Sequence, residues 1–600
     1  MSDIREFIRA ASGGNTKATV AIRGGRLVNV VSEEIYLADV AVYNDRIIAV
    51  GDISDYIGPA TDIIDATGKY LTPGMIDGHL HVECSKLSLT SFAKAVVPLG
   101  TTSIVTGLDQ IIVVGGPDAA REFLDEVKGT PLKVFWGAPC KTPYTMPRST
   151  VGHYFSPKDH RDTHHWPECV GIWETVREFI QEEDDDVLEA IQIGQASRLP
   201  VLGCCPMTRG ARLNGYMQSG VRADHESYTP EEMLEKLRSG MHVVVRESSI
   251  SHFLSNNLRI VTEMGVKALR RISFCTDDVV ASDILARGHL DNMVRMAIAM
   301  GISPMTAIQM ATINGAEALR IDDKVGSISP GRAADILIVN DLRDFHIEAV
   351  VANGILAARG GQMAVELVAP QRSAALLQSV NAKPVTAADI VVPFDGKTSS
   401  ADVLAIAVTP EKIFVRTRRD VVLPVVGGKV LADPVRNVQY VTVVERYGKT
   451  QNRPVAFTSG FNLKSGAIAS STAPDDNNII CIGVDPEDMA VAINHLIANN
   501  GGQVVVDKGK VIEFLHLPIG GIVSDIEPHE MAAAEIRLDE AARSLGCDLP
   551  WPFMYMFVLQ ITAIPDYAIT DLGVVDCVNL RIISPLHPDI PGTADTLAAE

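Results

Sequence analysis

The chain has 600 residues, too many for one domain and roughly enough for three or four. Its hydrophobic fraction of 46% and charged fraction of 21% are those of a soluble globular protein with a large core. A net charge of −21 argues against nucleic acid or an anionic membrane as a partner.

The first residues, Met1-Ser2-Asp3-Ile4-Arg5-Glu6, mix charges of both signs and lead into a short helix, which predicts no signal peptide. Thr19-Val20-Ala21-Ile22, Ala38-Asp39-Val40-Ala41-Val42 and Arg46-Ile47-Ile48-Ala49-Val50-Gly51 are short apolar runs divided by Gly and Asn-Asp turns, and they predict a small antiparallel sheet. The same texture returns at Ala334-Asp335-Ile336-Leu337-Ile338-Val339 and Ala349-Val350-Val351-Ala352. Two β-rich pieces flanking a long middle predict one interrupted sheet domain, 1–69 plus 321–368.

The middle, 70–320, alternates apolar strand runs with helical patterns. An apolar run opens it (Tyr70 to Ile76). Further strands are predicted at Thr102-Ser103-Ile104-Val105, Lys133-Val134-Phe135-Trp136, Gly171-Ile172-Trp173, Pro200-Val201-Leu202-Gly203, near Val221, at His242-Val243-Val244-Val245 and at Ile272-Ser273-Phe274-Cys275. Helices are predicted from Pro230 to Arg238 and from Pro304 to Ala316. Repeated strand–helix units of this length predict an α/β fold with a parallel barrel, whose chemistry sits at the C-terminal strand ends. Residues 369–400 are rich in Ala, Pro, Ser and Thr and read as a boundary; 400–600 reads as another α/β domain. Nine scattered cysteines without C-x-x-C pairs predict a reducing cytoplasm, and the apolar stretch Phe553 to Ile564 is too short to span a bilayer.

Asp77-Gly78-His79-Leu80-His81-Val82 carries the densest chemical information. Residues two apart on a strand point to one face, so His79 and His81 can grip one divalent cation. Glu174 ends the fourth strand run, Cys204 the fifth and Asp277 the last, and His225 follows the sixth. Ligand-type side chains falling this often at strand ends predict a metal site. His160, His164 and His165 form a second histidine cluster, read as surface residues beside Asp159 and Asp162. His81-Val82-Glu83 mimics a cytidine-deaminase H-x-E, but no P-C-x-x-C follows it.

Pro73-Gly74-Met75-Ile76-Asp77-Gly78-His79-Leu80-His81-Val82-Glu83 resembles the opening signature of the amidohydrolase superfamily, in its adenine deaminase branch. The resemblance extends through Val170-Gly171-Ile172-Trp173-Glu174, Ala223-Asp224-His225-Glu226, Cys275-Thr276-Asp277-Asp278, Gly288-His289-Leu290-Asp291 and Gly460-Phe461-Asn462-Leu463-Lys464-Ser465-Gly466. It implies a distorted (β/α)8 barrel, a composite β domain and an adenine-deaminase-type C-terminal domain. It also implies one or two divalent ions (zinc, manganese or iron) on His79, His81, Glu174, Cys204, His225 and Asp277, with Glu174 as a bridge and Asp277 as proton shuttle. Glu83 is a second catalytic candidate; Arg246, Glu247 and Asp475 are substrate-binding candidates.

Three segments depart from the family pattern. Gly107-Leu108-Asp109-Gln110 replaces Asp-Pro-His-Glu, Cys204 replaces a histidine, and Pro474-Asp475-Asp476-Asn477-Asn478 replaces a loop with two histidines. Gln110 reads as a plain hydrogen-bonding residue. The expected function is hydrolysis of a C–N bond in a small cyclic substrate, most simply deamination of adenine or another aminopurine, by a cytoplasmic homo-oligomer. Amide hydrolysis and a non-catalytic relative are the alternatives.

Overall fold

The computed structural model describes residues 4–13, 16–410, 412 and 414–586. Its centre is an eight-stranded parallel sheet in strict chain order. The strands are β1 (Met75–Asp77), β2 (Thr101–Thr106), β3 (Lys133–Pro139), β4 (Cys169–Val176), β5 (Val201–Cys204), β6 (Val221–Asp224), β7 (His242–Arg246) and β8 (Ile272–Cys275). The sheet closes between its first and last strands: Gly78 N donates to Phe274 O, and Asp277 N donates to His79 O at 3.1 Å. The α/β barrel class is as expected. Its interior is packed with Ile76, Val105, Phe135, Val170, Trp173, Leu202 and Val244, while Ala316 and Leu319 from the helix Ile313–Leu319 fill the lower end.

The apolar run 70–76 is two strands. Tyr70–Pro73 leaves the barrel to join another sheet, and β1 begins after Gly74. A Cβ on Gly74 would lie 2.1 Å from Thr102 Oγ1, so the crossover requires a residue without one. The predicted helix from Pro304 to Ala316 is also two, Pro304–Ala311 and Ile313–Leu319, separated by the non-helical Thr312. The helix Pro230–Arg238 has the expected bounds, set by Thr229, whose side chain accepts from Glu232 N, and by Pro230 in the first turn.

The N-terminal and post-barrel strands form two sheets. Val20–Arg23, Asp39–Tyr43, Arg46–Gly51 and Asp62–Asp65 make one of four strands, antiparallel except where Val20–Arg23 runs parallel to Asp62–Asp65. A seven-stranded sheet joins Arg26–Asn29, Glu34–Leu37 and Tyr70–Pro73 to Ile336–Val339, Ile347–Ala352, Ile355–Arg359 and Gln362–Met363. In it Ile336 pairs with Pro73 and Val339 with Tyr70, so the chain entering the barrel is clamped by the chain leaving it.

From Val392 onward the chain forms a ten-stranded sheet whose buried inner strands include Val438–Val444, Ala467–Ser470 and Ile479–Gly483. The small residues at 466–471 allow this close packing: a Cβ on Gly466, which has φ +68°, would lie 2.3 Å from Val506 O. The helix Pro552–Val558 and the loop at 474–478 turn from this region toward the C-terminal end of the barrel. Among the described residues no helix is long and apolar enough to cross a membrane.

Candidate metal and substrate site

The site lies at the C-terminal strand ends. His79 and His81 follow β1, and their rings stand 5.3 Å apart, edge to face. His79 stacks on Trp173 at 3.9 Å and on His225 at 3.5 Å, so aromatic packing fixes its plane. Glu174 sits where the pairing of β4 with β5 slips between Ile172 and Thr175, a bulge that re-aims the side chain. Glu174 (φ +50°) and Asp277 (φ +59°) both hold left-handed backbone, a strain of about 1–3 kcal/mol each that clusters at functional sites.

Three overlapping donor sets result: His79, His81 and Asp277; His79, Glu174 and His225; Cys204, His225 and Glu226. His79 Nε2 is 3.3 Å from Glu174 Oε2 and 3.5 Å from Asp277 Oδ1, and His81 Nε2 is 3.6 Å from the same Asp277 oxygen. Donors about 2.0–2.2 Å from a zinc-sized ion stand roughly 3.3–3.6 Å apart in a tetrahedron, so this spacing fits a cation. His225 Nε2 is farther from Glu174 Oε1, at 3.8 Å. His79 Nε2 and Glu174 Oε2 are buried without a hydrogen-bond partner, as atoms awaiting a ligand would be.

For His79 and His225 the electrostatics agree with that donor chemistry. Burial, reinforced by His225, holds the His79 pKa well below its usual value, and burial lowers His225 to about 4, so both imidazoles are neutral, the form that a metal requires. His225 Nδ1 faces Gly203 O at 3.1 Å, which leaves Nε2 to the site. Burial raises the Glu174 pKa well above its usual range. Burial also opposes ionisation of Asp277, but Arg246 outweighs it and holds that carboxyl well below the ordinary value. Arg246 donates to both Asp277 and Glu226, with its guanidinium between Phe253 and Phe414 at 5.3 and 5.1 Å.

A cavity with about 760 Å³ of empty space, part of it open to solvent, lies over these groups. The barrel contributes His81, Asp109, Tyr144, Glu174, Cys204, His225, Tyr228, Arg246 and Asp277, and the C-terminal region contributes Phe414, Asp475, Phe557, Ile561 and Ile564. Asp475 has an unpartnered buried oxygen, and burial with Asp109 nearby pushes its pKa up to about 8.

Residues 70–356 match the family model described as "Amidohydrolase family", and residues 414–581 match "Adenine deaminase C-terminal domain". Adenine deaminase 4 of Rhizobium meliloti (strain 1021) is 88% identical over the whole of both chains. The chain belongs to the adenine deaminase family. More distant members include adenine deaminase 1 of Desulfotalea psychrophila, 56% identical over 98% of this chain and 99% of its own. Adenine deaminase 1 of Carboxydothermus hydrogenoformans is 36% identical over 97% and 98%. Membership implies a divalent metal, and the donor sets above suit one.

Most of the residues singled out in the sequence converge here: His79, His81, Glu174, Cys204, His225, Arg246, Asp277 and Asp475. Glu247 does not. It faces away, binding Arg287 Nη2 at 3.0 Å and His252 Nδ1 at 2.8 Å. Glu83 is buried behind the cavity wall with both oxygens unpartnered, its pKa pushed up to about 7 by burial and by Asp109. Burial, then Glu174 and Glu226, raise the Cys204 thiol well above its usual pKa, so without a cation it is neutral. Gln110 reaches Cys84 Sγ at 3.9 Å. His160 is buried against Phe155, not a surface residue, and its Nε2 faces Cys140 O at 3.3 Å.

Sequence reasoning missed Asp109, Glu226 and Asp278 as members of the site. Asp109 Oδ1 is 3.3 Å from His81 Nδ1. Burial opposes a charge on His81, but Asp109 outweighs it and holds the imidazole pKa well above its usual value. The available signal was that Asp109 stands inside the altered loop after β2, at a barrel position reserved for chemistry.

Proposed function

We propose that this chain deaminates adenine, releasing ammonia and hypoxanthine. The observation that carries the reading is the cavity itself: a metal-type donor cluster on the barrel floor, roofed by apolar and acidic residues of the adenine-deaminase-type C-terminal region. His79, His81 and Asp277 would hold a divalent cation, with Glu174 and His225 alongside and Cys204 with Glu226 as a further donor pair. Such an ion supplies the Lewis acidity that makes water a nucleophile near neutral pH. Asp277, kept ionised by Arg246, accepts the proton of the attacking water and delivers it to the departing amine.

Phe414, Phe557, Ile561 and Ile564 suit the faces of a flat heterocycle, and Asp475, protonated over part of the neutral range, can donate a hydrogen bond to a ring nitrogen. Glu83 acts through Asp109 and His81, as a positioning residue. The domain division 1–69 plus 321–368, 70–320 and 400–600, a cytoplasmic location and a homo-oligomer complete the proposal. Unpaired buried cysteines suit a reducing compartment, and exposed Ile35, Tyr36 and Leu37 on an edge strand suit self-association.

The test is purified, metal-loaded protein with adenine, followed by ammonia release and by chromatography of the purine. Stoichiometric ammonia and hypoxanthine are expected. No turnover of adenine, with a cyclic amide opened to a carboxylate instead, would overturn the reading.

A further inference from the structure

A second large cavity lies at the opposite, N-terminal end of the barrel strands, with about 1490 Å³ of empty space. Arg222 from β6, His242 from β7, Arg270 and Arg271 immediately before β8, and Arg238 at the end of the helix Pro230–Arg238 line it. Glu317 is the sole carboxylate among the described lining residues, and it is bound by Arg270. Counting four arginines against one glutamate leaves an excess of +3 on a chain whose net charge is −21.

Apart from Arg270, which pairs with Glu317, these cations are not consumed by structural ion pairs. Arg222 donates to the carbonyls of Ala318 and Glu317, and Arg271 donates to that of Gly240. Among the described residues, neither of them nor Arg238 has a carboxylate partner. The buried His242 records the resulting potential: burial, then Arg222 and Arg271, lower its pKa to about 3. Gathering like charges around a cavity costs free energy unless an anion offsets it.

The rest of the lining is apolar, from Leu234, Leu237, Met264 and Val266. A basic rim with an apolar wall suits a phosphorylated organic molecule, the phosphate on the guanidinium groups and a flat body against the side chains. We propose that this cavity is a binding site for a nucleoside phosphate, separate from the catalytic cavity on the other face of the barrel.

The test is calorimetric titration of the metal-loaded full chain with AMP at low ionic strength, against inorganic phosphate and adenosine as references. Saturable AMP binding is expected, weakened by added salt. The double variant R238S/R271S changes two exposed side chains far from the catalytic cavity, and it should bind AMP about tenfold or more weakly with adenine turnover unchanged. AMP binding that is absent, or equal in the double variant, would overturn the proposal. Phosphate bound as tightly as AMP would overturn the nucleoside part of it.

Discussion

The histidine after β6 is held in place by one buried lysine, and that arrangement can be broken. Lys236 is fully buried and its ammonium lies near four acceptors: Asp224 Oδ2 at 2.8 Å, Glu232 Oε1 at 2.7 Å, Cys205 O at 2.9 Å and Glu226 O at 2.7 Å. Asp224 in turn accepts from Cys205 N at 2.8 Å and Glu226 N at 3.1 Å. The ends of β5 and β6, which carry Cys204, His225 and Glu226, are thus tied to one charge. Lys236→Met keeps an unbranched side chain, one atom shorter and without the charge, and leaves two buried carboxylates and two carbonyls uncompensated.

Breaking a buried pair from one side costs about 3–5 kcal/mol. The expected result is a loss of that size in urea unfolding followed by tryptophan fluorescence, which reports the barrel through Trp136 and Trp173, both fully buried. Metal retention should fall with it, because His225 lies between Asp224 and Glu226. The pH dependence has a definite sign. Burial raises the Asp224 pKa, but Lys236 outweighs it and the net value is lowered, so the pair stabilises above the ordinary value of 3.8 and loses that effect as pH falls further. The deficit of Lys236→Met should therefore be largest at neutral pH and shrink in acid. Adding Asp224→Asn should recover part of it. A loss below about 1 kcal/mol with unchanged metal content would refute the argument, because it would mean that the buried charges need no partner.

Three further outcomes are expected. Asp277→Asn should lower kcat for adenine about 10²–10⁴-fold, the usual scale for a lost acid–base group; unchanged turnover would remove it from the mechanism. Because the Asp475 pKa is raised to about 8, the folded chain holds a proton there that the unfolded chain has already lost. Its contribution to stability therefore declines as pH rises from about 4 to 8. kcat/KM should fall on the alkaline side as that proton is lost, and Asp475→Asn should remove this limb from the profile. Chelation should abolish activity and lower the thermal midpoint, with zinc, manganese or iron restoring both; His79 Nε2 and Glu174 Oε2 lack any other partner that could sustain them.

The sequence exposed the part of the site encoded by strand alternation. His79 and His81 are two apart, and His225 and Asp277 follow apolar runs short enough to be barrel strands, so their convergence needs only the barrel's closure. Alternation does not settle Glu247: it follows the end of β7, and past other strand ends neighbours such as His225 and Glu226 both line the cavity, so only its pairing with Arg287 and His252 places it outside. Other features have no local signature. The break of the run 70–76 at Gly74 depends on Thr102 lying across it. The Arg246–Phe414 contact joins residues 168 positions apart (414 − 246), which no periodicity reports.

All three segments that depart from the expected family pattern line the same cavity. Asp109 and Asp475 both lie in them and both line one cavity, and Asp109 adds to the burial that raises the cost of ionising Asp475. The loop after β2 and the loop at 474–478 thus form one electrostatic unit built from two parts of the chain. Asp109 Oδ1 lies 3.3 Å from His81 Nδ1, while burial, with Asp109 nearby, pushes the Asp475 pKa up to about 8.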